Sequence, residues 1–125
     1  MSYRVEWLSD KQDKILLEFQ YHWNWSSFHA GVSRDHEMIR SVEHDVVLIL
    51  HPASVFPSNP MPHFWRAFED QPPNLKKIVV VTPTDGEPIL LSFMRRIAKI
   101  IAHFFPNSSK VEFVKSVEEA IADVG

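Results

Sequence analysis

Two short runs, Val46-Val47-Leu48-Ile49-Leu50 and Ile78-Val79-Val80-Val81, constrain this chain more than any other feature. Each is apolar at every position, rich in β-branched residues, and followed directly by a proline-bearing loop and a stretch of helical period. A strand with no polar alternation is covered on both faces, which implies parallel pairing with helices packed on either side. At 125 residues the whole chain, 1–125, forms a single domain around one core.

The remaining segments fall into place around those runs. Residues 3–8 place Tyr3, Val5 and Trp7 in alternation with Arg4 and Glu6, and residues 14–20 alternate in the same way, so the two predict an antiparallel hairpin. Asn24 is a good N-cap for a helix whose apolar face holds Trp25, Phe28, Val32, Ile39 and Val42, with a seven-residue step across Ser33–Met38. Arg34, Asp35, Glu37 and Arg40 are expected on its solvent side. Gly31 in its interior costs about 1 kcal/mol against alanine and marks a close helix–sheet approach.

A short helix over 60–70, with Asn59 as its cap, carries Met61, Phe64, Trp65 and Phe68 and is stopped at Gln71-Pro72-Pro73-Asn74. A strand over 77–82 leads to the strongest helix, 88–105. That helix turns Leu90, Phe93, Met94, Ile97, Ile100, Ile101 and Phe104 inward and Arg95, Arg96, Lys99 and His103 outward. A last strand at 110–114 precedes a helix opened by the capping box Ser116-Val117-Glu118-Glu119. The order ββαβαβαβα predicts an α/β sandwich: a mixed, mostly parallel five-stranded sheet with an N-terminal antiparallel hairpin and about four helices.

Trp23-Asn24-Trp25, the run His44-Asp45 through Leu50, Pro73-Asn74-Leu75-Lys76-Lys77 through Val81, and Phe113-Val114-Lys115-Ser116-Val117-Glu118-Glu119-Ala120 stand in an order and spacing that span nearly the whole chain. In these the chain resembles the STAS-like superfamily (sulphate transporter and anti-sigma factor antagonist), and within it the small stand-alone bacterial proteins. The resemblance implies a regulatory, protein-docking domain. In the antagonist branch a serine in an Asp-Ser-x-Gly-like loop after the third strand is phosphorylated, adding a charge of about −2 at a helix N-terminus. The corresponding loop here, His51-Pro52-Ala53-Ser54-Val55-Phe56-Pro57-Ser58, keeps Ser54 and Ser58 as candidate phosphosites but has neither the acidic residue nor the glycine.

Charge and composition exclude several functions. Thirteen basic against sixteen acidic residues, a net charge of −3, give no general attraction to nucleic acid. Without cysteine there is no disulfide or thiolate chemistry, and no signal peptide is visible, so a cytoplasmic location is expected. His22, His29 and His36 recur every seven residues. On a helix that spacing separates His29 from His36 by about 10.5 Å, too far for one ion with ligands at about 2.0–2.1 Å, and no metal is expected. With only three glycines there is no phosphate loop, and no nucleophile elbow is present. The neighbouring pairs Asp35–His36, His44–Asp45 and Glu69–Asp70 read as solvated helix or loop faces, since adjacent helical residues point apart. The chain is therefore expected to be neither an enzyme nor dependent on a cofactor.

Two regions remain as candidate sites. If the strands at 46–50 and 77–82 are parallel, their carboxyl ends gather His51, Ser54, Ser58, Thr82, Thr84 and Asp85 at one sheet edge, where open α/β sheets bind ligands. The same residues also serve as turn formers and caps, and the sequence leaves both readings standing. The second region is apolar: Phe56, Met61, Phe64, Trp65, Phe68, Phe93 and Met94, with Phe104 and Phe105, read either as core or as a groove between the helices at 60–70 and 88–105. The expected partners are accordingly a protein, with a homodimer as one form, or a nonpolar ligand or membrane surface.

Overall fold

Tyr3, Val5 and Trp7 point one way and Arg4 and Glu6 the other in β1 (Tyr3–Trp7). It turns back antiparallel into β2 (Lys14–Phe19), with Tyr3 opposite Phe19 and Trp7 opposite Ile15. The computed structural model describes residues 3–20, 23–52, 59–81, 88–104, 110–114 and 116–124. After the hairpin come α1 (Trp25–Arg40), β3 (Val46–His51), α2 (Pro60–Glu69), β4 (Leu75–Val81), α3 (Pro88–Phe104), β5 (Lys110–Val114) and α4 (Val117–Val124). The five strands lie in the order β1-β2-β3-β4-β5, the first pair antiparallel and the rest parallel. This is the α/β architecture that the pattern of apolar runs predicts.

Because the parallel strands follow in sequence order, successive crossovers of one hand deliver their helices to one face of the sheet. On that face Ile15, Leu17, Phe19, Leu48, Ile78 and Val80 pack with Phe28 and Ile39 of α1 and with Phe64 and Phe68 of α2. On the opposite face Leu16, Ile49, Val79, Val81 and Val114 pack with Ala120 of α4. The apolar runs are thus covered on both sides, by three helices on one and by one short helix on the other. A bulge sharpens the arrangement. Val46 pairs with Leu75 and Val47 with Lys77, leaving Lys76 extra, so Leu75 and Ile78 reach the same core although three residues apart.

Local chemistry sets the helix ends. Asn24 Oδ1 accepts the Ser27 N–H at 2.8 Å and opens α1, and Ser116 Oγ accepts the Glu119 N–H at 3.0 Å and opens α4. Asn59 departs from its expected role as a cap. Its backbone is left-handed (φ 59°, ψ 57°) and its side chain makes no capping bond, because a cap of that kind needs an extended backbone at the capping residue. Gly31 is required by proximity: a Cβ there would lie 2.8 Å from Leu17 Cδ1 and 3.3 Å from the Phe19 ring.

Asn74 ties the end of α1 to the start of β4. Its Nδ2 donates to the carbonyls of Ile39 (2.8 Å), Val42 (3.0 Å) and His44 (3.1 Å). Asn74→Ala is expected to remove this shared donor and cost about 2 kcal/mol, read from the urea midpoint. A loss below about 0.5 kcal/mol would mean that water replaces the amide without penalty.

Candidate functional site

The three-helix face encloses a chamber of about 90 Å³. Its floor is the sheet (Leu17, Leu48, Leu50, Ile78, Val80, Val111 and Phe113) and its walls are Phe28, Val32, Asp35 and His36 of α1, Phe64, Ala67 and Phe68 of α2, and Ile97 and Ala98 of α3, with Gln71 beyond α2. Several of these, among them Leu50, Phe68, Gln71 and Ala98, are half-buried, so the chamber reaches solvent past them. Apart from Asp35, His36 and Gln71, the side chains around it are hydrocarbon.

Asp35 is the anomaly. Phe28, Val32, Asp35 and Ile39 follow one another at four-, three- and four-residue steps, the spacing of a single helix face, and that face lies on the sheet. Asp35 is therefore 0 % exposed, and neither carboxylate oxygen has a hydrogen-bond partner. His36 Nε2 is 3.6 Å from Oδ1, beyond hydrogen-bonding distance. Burial holds the carboxyl well above the ordinary carboxylate range and so favours its protonated form. The expectation of a solvated face here is overturned for both neighbours, since His36 is 5 % exposed. The seven-residue step from Val32 to Ile39 was the usable signal: an amphipathic stripe has an inward position in that interval, and residue 35 fills it.

Burial, with a smaller push from the Arg40 charge, depresses His36 to about 4, against an opposing pull from the Asp70 charge and main chain. Its imidazole is therefore neutral at pH 7. His29 takes part in a different contact. It shares a 2.8 Å hydrogen bond between its Nε2 and His63 Nδ1, the proton's side depending on the tautomers, while the His63 ring stacks on Trp25 at 4.3 Å. Burial first, then the charges of Arg66 and His63, lower His29 as well. These rings fasten α1 to α2 beside the chamber.

The other sequence candidates scatter. His51 lies at the end of β3 on the α4 face, where its Nδ1 is 3.1 Å from Glu18 Oε2; Glu18 Oε1 in turn is 3.2 Å from Arg4. It thus turns away from the chamber. Thr82, Thr84, Asp85, Ser54, Ser58, Phe56 and Phe105, and His22 of the histidine series, lie outside the described residues, as do the side chains of Phe93 and Met94. Phe64 and Phe68 line the chamber, but Met61 and Trp65 do not. Trp65 is one residue off that face; its ring packs on Phe104 at 5.0 Å and its Nε1 donates to Glu69 at 2.9 Å. The pairs His44–Asp45 and Glu69–Asp70 are exposed, Asp70 meeting Arg40 at 3.2 Å. Among the described residues no three His, Asp or Glu side chains gather at metal-ligand spacing, and no helix is long and apolar enough to cross a membrane.

What the arrangement can do chemically is hold a small nonpolar body against leucine, isoleucine, valine and phenylalanine side chains. No protein-family model, no curated protein and no solved structure matches this chain.

Proposed function

We propose that the chain is a non-catalytic binding domain that holds a small nonpolar molecule in the chamber beneath α1, α2 and α3. The observation that carries this reading is a space of about 90 Å³ whose lining is hydrocarbon except at Asp35, His36 and Gln71. A chamber that were only a packing fault would be most stable lined by carbon alone. Binding sites for small molecules, in contrast, combine apolar walls with a few fixed polar groups.

Cyclopentane, titrated into detergent-free protein and followed by amide NMR shifts, is expected to move the signals of Leu48, Ala67 and Val80 saturably and leave those of the α4 face in place. Unmoved chamber signals at saturating hydrocarbon would overturn the reading.

A second reading is the docking of a partner protein, as the resemblance to STAS-like regulators implies. The observation favouring it is the outer side of α2 and α3, where Phe104, 58 % exposed, packs on Trp65 near Ile100, 37 % exposed.

A further inference from the structure

We propose that the open edge of β1 pairs with β1 of a second copy of this chain, antiparallel about a two-fold axis at Val5, doubling the sheet. This goes beyond the ligand-holding reading and does not depend on it, since no side chain of β1 lines the chamber.

The phase of the β1–β2 ladder shows which main-chain groups are open. The Leu8 N–H donates to the Lys14 carbonyl at 2.9 Å, in the same register that sets Glu6 opposite Leu16 and Arg4 opposite Glu18. Bonding direction alternates along an antiparallel strand, so Arg4, Glu6 and Leu8 turn their N–H and C=O groups toward β2. Tyr3, Val5 and Trp7 turn theirs outward, and β1 is the outermost strand on that side. An edge of this kind is usually blocked by lysine, proline or a bulge. The run Tyr3-Arg4-Val5-Glu6-Trp7 has none of the three.

The same five residues select the partner. Centred on Val5, an antiparallel copy sets Val5 opposite the partner's Val5 and Tyr3 opposite the partner's Trp7. Every outward N–H then meets an outward C=O. Arg4 faces the partner's Glu6 in the closer, non-hydrogen-bonded positions of the ladder, where opposite charges attract across the seam. Arg4 thus comes to stand between Glu18 of its own chain, 3.2 Å away, and the partner's Glu6. Sliding the copy by two residues sets Arg4 against the partner's Arg4, or Glu6 against the partner's Glu6. Sliding it by one brings outward groups against inward ones. The strand is complementary to itself over its whole length in this one register. Tyr3, Val5 and Trp7 are only half-buried against the core of the single chain, and pairing covers their open side.

The test is sedimentation equilibrium of the wild type, Arg4→Glu, Glu6→Arg and an equimolar mixture of the two variants. With rising concentration the wild type is expected to pass from the 14.5 kDa monomer to twice that mass. Each variant alone sets like charges face to face and is expected to dimerise about tenfold more weakly. In the mixture every facing pair is again opposite in charge, and dimerisation is expected to return to within a few-fold of the wild type. Both positions are exposed, and circular dichroism checks that the variants fold. A wild type that stays monomeric up to about 1 mM overturns the proposal. So does a dimer that the variants leave unchanged, or one that the mixture fails to restore. The Val5 amide of the wild type is also expected to exchange its hydrogen more slowly as concentration rises. Exchange independent of concentration overturns the proposal even if a variant does not fold.

Discussion

Cutting Phe19 back to alanine is expected to remove about 3–5 kcal/mol of folding free energy, the largest effect of any single truncation in this domain. Phe19 is 1 % exposed and lies at the centre of an aromatic stack, 5.0 Å from the Trp23 ring and 5.8 Å from Phe28. The cost of a truncation depends on how far the surroundings can close the void. Here they cannot close far: Gly31 has no side chain to advance, and α1 already sits against Leu17 at the limit of contact. A domain of this size has about 5–15 kcal/mol in total, so the variant should be partly unfolded at 37 °C. Urea denaturation followed by tryptophan fluorescence reads the loss, and a change under 2 kcal/mol would show that Trp23 and Phe28 collapse into the space.

The second large effect is a dependence of stability on pH that runs through His36. Its proton is held with a value of about 4 in the fold against 6.5 in the open chain, so the unfolded state takes up the proton first as pH falls. The stabilisation is complete above pH 6.5 and is lost as pH drops to 4, a span on the order of 3 kcal/mol. Asp35 acts in the opposite sense. Its folded value is raised above 3.8, so its contribution is present below that pH and fades as pH rises through the folded value. Between pH 4 and 6.5 the two slopes oppose one another, so unfolding free energies should change little with pH in the wild type, fall as pH rises in His36→Gln and climb with pH in Asp35→Asn. Parallel profiles for wild type and His36→Gln would show that His36 is not the group responsible.

The sheet was legible because it is written in local pattern. The apolar runs at 46–50 and 78–81 become β3 and β4, and the alternation at 3–8 and 14–20 becomes the hairpin, with ends differing by at most three residues. The site was not legible for the same reason. Asp35 carries a charge in its free state, and hydrophobic patterning assigns such a residue to water; its inward direction follows from helix geometry, which only the interrupted stripe recorded. The contact between His29 and His63 spans 34 positions and depends on how α1 and α2 cross, which no local window contains. The apolar runs required cover on both faces, but which helix lies on which face follows from the strand order alone. His51 shows the converse, since strand alternation sends it to the α4 face, away from the chamber that its neighbour Leu50 lines.

The sequential order of the strands also bears on how the chain reaches this state. Every strand pairs with its immediate predecessor, so no strand waits for a distant partner to arrive, and each loop closed along the way is one crossover long. Starting from the hairpin, the sheet can grow outward in the order of synthesis, one strand and one helix at a time. α4 doubles back from β5 to lie over β3 and β4 as well. α4 is therefore a clasp, closing over β3, β4 and β5 once these strands have paired.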